Sequence, residues 1–242
     1  MKKLLLMAFI SLSLVAAFAQ DKVIYDANAE VRKVPAFNAI KVSHGIELLL
    51  THGNTEAVAV SAEEKEQRDA IKTEVTNGEL RIYIEQKAMK WWKQLISKGK
   101  KPKAYVSFVK LEKIDGSSGA KITIDGSLNT AVLSFDLSSG ANLRAIVKAK
   151  HLTVEQSSGG TTNISGTAEN LKVNSSSGGR FNGYDLVVVK CKAEASSGGK
   201  IQLNVTNELA AYASSGGGID YKGSGAIMDI STSSGGKVRK DR

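Results

Sequence analysis

Both tryptophans of the chain and seven of its lysines fall between Gln86 and Lys103, with no aspartate or glutamate among them. Trp91 and Leu95 are four residues apart, as are Trp92 and Ile96, so a short helix here would carry an apolar stripe flanked by lysines. A basic amphipathic element of that kind can dock on an anionic membrane surface, on lipopolysaccharide or on an acidic glycan. The candidate binding residues are therefore Lys90, Trp91, Trp92, Lys93, Lys100 and Lys101. The competing reading is a loop whose tryptophans cover one end of a repeat array while the lysines are simply solvated. The charge is local to this segment. The chain has 33 basic and 24 acidic residues, and once Lys2 and Lys3 are set aside the seven lysines of the insert account for the whole excess. A basic patch confined to one insert does not point to nucleic acid.

A second pattern is a column of acids. Asp115, Asp136, Glu155, Asn174, Glu194, Tyr212 and Ser231 each stand three residues before a repeated serine. Carboxylates stacked about 4.8 Å apart could recruit Ca²⁺. Lys113, Lys172 and Lys192 lie two residues earlier on the same face, where cross-rung pairing neutralises several of these acids. No catalytic set emerges. His44, His52 and His151 lack metal-ligand spacing, and Gly223-Ser224-Gly225 lacks the spacing of a nucleophile elbow. The residues imply a non-enzymatic protein with no metal or cofactor; the alternative is a carbohydrate-active β-helix enzyme acting on an acidic polysaccharide.

The elements that position these residues come from a repeat. Seven Ser-Ser-Gly elements, beginning at Ser117, Ser138, Ser157, Ser176, Ser196, Ser214 and Ser233, recur at spacings of 21, 19, 19, 20, 18 and 19. Six residues before each second serine stand Glu112, Leu133, Leu152, Leu171, Cys191, Leu209 and Met228. Four before it stand Ile114, Phe135, Val154, Val173, Ala193, Ala211 and Ile230; four after it stand Ile122, Leu143, Thr162, Phe181, Ile201, Ile219 and Val238. Apolar columns at even offsets are strands with one buried face. By the same parity the second serine points inward as a stacked ladder, and the glycines turn a corner. Cys191 belongs to a leucine column and reads as a buried apolar residue. The fold class is all-β: a right-handed parallel β-helix-like solenoid of about nineteen residues per rung, whose parallel crossovers favour the right hand.

Residues 31–105 carry the same grammar less regularly, ahead of repeat rungs at 106–242. Asn77-Gly78 marks a turn, Glu63–Ala70 a short helical or looped excursion, and Ser43-His44-Gly45 a degenerate copy of the repeat. The charged end Lys237–Arg242 suits a cap that discourages edge pairing. Residues 1–19 read as a signal peptide: Lys2 and Lys3, an apolar run from Leu4 to Val15, then Ala17-Phe18-Ala19. The mature chain, 20–242, is expected to be one exported domain in the periplasm, on the outer-membrane surface or outside the cell.

The segments Phe37-Asn38-Ala39-Ile40-Lys41-Val42, Thr76-Asn77-Gly78-Glu79-Leu80-Arg81-Ile82 and Leu111-Glu112-Lys113-Ile114-Asp115-Gly116-Ser117-Ser118-Gly119 resemble the autotransporter-adhesin head domains called GIN domains. They span nearly the whole mature chain. The resemblance implies a secreted or envelope protein with a right-handed β-helix-like fold. It carries over no catalytic residue, and the lysine–tryptophan insert is not a hallmark of the family. The expected role, an adhesin-like or envelope-interaction module with glycan, anionic membrane surface or envelope protein as partner, rests on the flat stacked faces and the basic insert.

Overall fold

The structure, a computed structural model, describes residues 26–97, 99 and 101–241. The expected signal peptide and Lys100 lie outside them. Alternating apolar residues make strands wherever one face can be buried, and the described residues are mostly strand. The irregular part contains β1 (Ala29–Arg32), β2 (Ala39–Val42), β3 (Glu47–His52), β4 (Ala57–Ser61), helix α1 (Lys65–Ala70), β5 (Ile71–Thr76) and β6 (Glu79–Ile84). A 3₁₀ turn at Gln86–Ala88 leads into α2 (Met89–Ser97), followed by β7 (Lys103–Phe108) and β8 (Lys113–Gly116). The repeats are β9 (Lys121–Leu137), β10 (Asn142–Gln156), β11 (Thr161–Ser175), β12 (Arg180–Ala195) and β13 (Lys200–Ala213). The end is β14 (Gly218–Lys222), β15 (Ala226–Thr232) and β16 (Lys237–Lys240).

These strands form a β-solenoid. Each repeat strand pairs in parallel with its equivalents one rung away, so that Leu143 faces Thr162 and Leu152 faces Leu171. Bulges between Arg144 and Ile146, and between Gly183 and Val187, absorb the departures from nineteen. Each long strand bends midway, where two successive side chains such as Lys150 and His151 face solvent. Leu133, Leu152, Leu171, Cys191 and Leu209 are buried, as are Phe135, Val154, Val173, Ala193 and Ala211 on the second column. Each fully buried aliphatic or aromatic side chain contributes about 1.5–3 kcal/mol, which one rung can realise only when the next lies on it.

Three expected inward positions differ. Glu112 stays at the surface, bonded to Lys110 at 2.5 Å and Asn38 at 2.8 Å, while its neighbour Leu111 is buried. A register shift between Leu209 and Ala210 sets Ile227, not Met228, opposite Leu209. Ile230 keeps its register with Ala211 but lies on the last rung, where nothing described covers it.

The serine ladder is a correction. Every second serine is exposed, with φ between +45° and +51°, and the glycine after it has φ between +73° and +77°. The N–H of the residue after that glycine donates to the first serine's carbonyl at 2.8–3.1 Å, which makes each corner a type I′ turn. Alternation cannot be carried through a residue that has left extended geometry, so the inward parity stops two residues earlier, at positions such as Leu137, Gln156 and Ala195. The stacked ladder is one of backbone: from Gly119 to Gly216, each corner glycine N–H donates to the second serine carbonyl of the next rung at 3.0–3.2 Å.

Ser43-His44-Gly45 is such a corner, as expected. His44 and Gly45 have φ of +62° and +72°, and Gly45 N–H donates to Ser118 O at 2.9 Å. The rung β2–β3 therefore lies on β8–β9. Its other side is covered by β6 and β7, in parallel with β2 and β3 respectively. Rungs are thus out of chain order: β6–β7, later in sequence, lies outside β2–β3. Antiparallel β5 on β6, β4 on β7 and β1 on β4 close that end. At the opposite end β16 pairs with β14 and does not cover β15, where Ile227, Met228 and Ile230 are exposed at 51%, 65% and 40%.

Candidate functional site

The lysine–tryptophan insert is an expanded corner. In the rung β6–β7, the place held elsewhere by a four-residue turn is taken by Glu85–Pro102, including α2. The rung registers on both sides of the insert: Ser43 N–H donates to Ile82 O at 3.2 Å and Glu47 N–H to Pro102 O at 2.9 Å. The expected helix forms, and its apolar stripe turns inward. Trp92 is buried and stacks on Trp91, with centroids 5.3 Å apart and planes 21° apart. Trp91, Leu95 and Met89 are half-buried against the same core. The tryptophans thus cover an end of the array, and only Trp91 of the pair is open to a ligand.

The candidate lysines separate into groups. Lys90 and Lys93 are exposed and form no ion pair among the described residues. Lys101 bonds Glu47 at 3.1 Å, and Lys87 bonds Glu85 at 3.3 Å. Beneath the helix, His44 Nδ1 accepts the Ile84 N–H at 3.2 Å and lies 3.3 Å from Ser43 Oγ. Burial, and then the charge of Lys93, hold its pKa below the usual histidine value. A groove of about 400 Å³ separates Trp91 from α1, lined by Glu66, Asp69, Lys72, Glu85 and Lys87.

The acid column forms in register: Asp115, Asp136 and Glu155 lie opposite one another on successive rungs. Lys192 bonds Glu194 at 2.8 Å along its own strand and not across rungs as expected, and the cross-rung partner of Asp115 is Lys41, at 2.5 Å, which is not one of the expected lysines. Burial, followed by Asp115 and Glu155, raises the pKa of Asp136. Among the described residues no group of three or more acid, histidine or cysteine side chains is placed to hold a metal ion. Cys191 is buried in the leucine column, as expected, and that burial pushes its thiol pKa up.

One feature escaped the sequence reading. Across β10–β13 an outer groove of about 500 Å³ gathers His151, Asn170, Lys172, Lys190, Lys192 and Glu208. Lys190 bonds Glu208 at 2.8 Å, and the Lys192 ammonium lies 5.5 Å from the Tyr212 ring centre. The recurrence of lysine at one offset was the available signal, but equal offsets do not show that a bent strand makes a concave face.

A family model described as "Putative auto-transporter adhesin, head GIN domain" matches residues 36–225. No curated protein matches significantly. Among solved structures, one titled a putative adhesin from Bacteroides fragilis is similar, with a TM-score of 0.76 at 20% identity, covering 88% of this chain and 96% of that one. A putative adhesin from Parabacteroides merdae has a TM-score of 0.65 at 18% identity, covering 89% and 96%. A putative lipid binding protein from Parabacteroides distasonis has a TM-score of 0.66 at 17% identity, covering 90% and 98%. At these identities the structural likeness speaks for the fold.

Proposed function

Because the chain belongs to the auto-transporter adhesin head GIN domain family, we propose that it is an exported, non-enzymatic interaction module whose expanded corner holds an anionic envelope surface or acidic glycan. The observation that carries the reading is the pair of exposed lysines, Lys90 and Lys93, beside half-exposed Trp91 on a helix anchored by buried Trp92. A fixed helix presents cations without ordering them anew on binding, which lowers the entropic cost of association. Lys101 extends the patch by leaving Glu47.

A lysine near an anionic membrane is worth about 1 kcal/mol. Lys90→Gln with Lys93→Gln should therefore weaken binding to vesicles containing phosphatidylglycerol roughly thirtyfold. Flotation with these and with neutral vesicles, beside an array of acidic glycans, distinguishes the two anion sources. Equal binding by the variant and the parent chain would remove the proposal. The enzymatic alternative predicts unsaturated products from acidic polysaccharides, which the purified chain should not release.

A further inference from the structure

The two ends of the solenoid differ in kind. Beyond β6–β7 the strands β1, β4 and β5 and the buried Trp92 close the core. At the other end β15 pairs only with β13 and β16 only with β14, so among the described residues their outer edges are unpaired. Ile227 continues the column of Leu209, and Ile230 that of Ala211, but here both are exposed, beside Met228. A contiguous apolar patch carrying free strand edges marks an interface.

We propose that this end binds a second copy of the chain, tail to tail. The outermost strands at the other end, β1 and β5, carry Glu30, Arg32, Lys72 and Glu74, so the apolar end is matched better by its own copy than by that charged end, in a two-fold contact in which the same surface meets itself. Charge selects the arrangement. The strand β15 carries Asp229 and no base, whereas β16 carries Lys237, Arg239 and Lys240 and no acid. Setting β16 against its own copy would oppose cations; setting β15 against the partner's β16 opposes unlike charges. The strands run toward and away from the corner Ser233-Ser234-Gly235, so a two-fold axis through that corner makes the contact antiparallel. Ile230 of one copy then lies opposite the inward Val238 of the other, which places Asp229, already accepting from Tyr212 at 2.8 Å, opposite Arg239, already paired with Asp220 at 3.0 Å, so that the contact adds to these pairs. The axis passes at Ser234.

The purified chain should show a concentration-dependent dimer by light scattering between roughly 1 and 200 μM, the range of modest protein interfaces. Ile227→Lys with Ile230→Lys should weaken it roughly tenfold or more. Asp229→Arg, which leaves the apolar residues intact, should do the same with an unchanged circular dichroism spectrum. Ser234→Cys should form an intermolecular disulfide under copper phenanthroline, which takes up the two thiol electrons, while Ser139→Cys at an interior corner should not. A chain that stays monomeric throughout, or a dimer that survives both charge variants, overturns the proposal. Cross-linking at Ser139→Cys as efficient as at Ser234→Cys overturns it as well.

Discussion

Replacing Trp92 with alanine tests whether the insert is a built corner or a loop resting on the surface. The side chain is 1% exposed, so truncation leaves a cavity as well as removing apolar contact. Substitutions of this kind cost about 3–5 kcal/mol. The stack on Trp91 adds about 0.5–1.5 kcal/mol that the same change removes. Trp92 Nε1 has no protein acceptor, so no hydrogen bond is lost, and Trp92→Phe should cost much less than the alanine. In a solenoid the loss should also be local, because each rung touches only its neighbours. The assay is urea denaturation together with hydrogen exchange resolved by segment. Trp92→Ala should lose amide protection first in β6 and β7, while β10–β12 keep theirs. A global cost below about 1 kcal/mol with unchanged protection at β6 and β7 would refute the anchoring of α2 by this residue.

Three further outcomes follow from the geometry. Asp136→Asn should stabilise the chain at pH 7 by up to about 1 kcal/mol, because like charges face one another on three rungs. The raised pKa of Asp136 means that its ionisation opposes folding as pH rises above 3.8, so the gain from asparagine should vanish in acid melts. His44, whose pKa is lowered, contributes stability that is intact above pH 6.5 and is lost below it, as pH falls through the lowered folded value, and His44→Asn, which tolerates the same positive φ, should flatten that slope in thermal melts. Gly199→Ala should cost about 3 kcal/mol or more by chemical denaturation, since its Cβ would lie 2.1 Å from Ser175 O on the adjacent rung.

The repeat region was legible because its information is local. Apolar columns at even offsets specify strands, and recurrence near nineteen residues specifies which strands are equivalent. The serine orientation was not, because parity counting assumes extended geometry and the second serine of every corner has positive φ. The order of the first rungs was also hidden. Sequential elements usually neighbour one another, yet β6–β7 lies beyond β2–β3, and the corner that would have marked it as a rung is replaced by the insert. At the candidate site, the four-residue spacing of Trp91 with Leu95 gave the helix. It could not say which of two adjacent tryptophans enters the core, since both lie on one broad stripe.

The corners explain why chemistry concentrates at the insert. From Ser117 to Gly235 the ridge is a backbone ladder of exposed serines and glycines, identical from rung to rung and devoid of charge. A ligand meets no distinguishing group along it. Among the described residues, the rung that departs from this pattern inserts a helix whose exposed Lys90 and Lys93 form no ion pair, at the same ridge, immediately beyond His44. Because all corners share that ridge, a two-fold axis through Ser234 would place the two helices of a dimer at opposite poles but on the same side. Both could then meet one flat anionic surface, and the second contact would form at the effective concentration set by the first. Such a dimer would gain avidity from its two insert helices, with the featureless rungs between them serving as a rigid spacer that sets their separation.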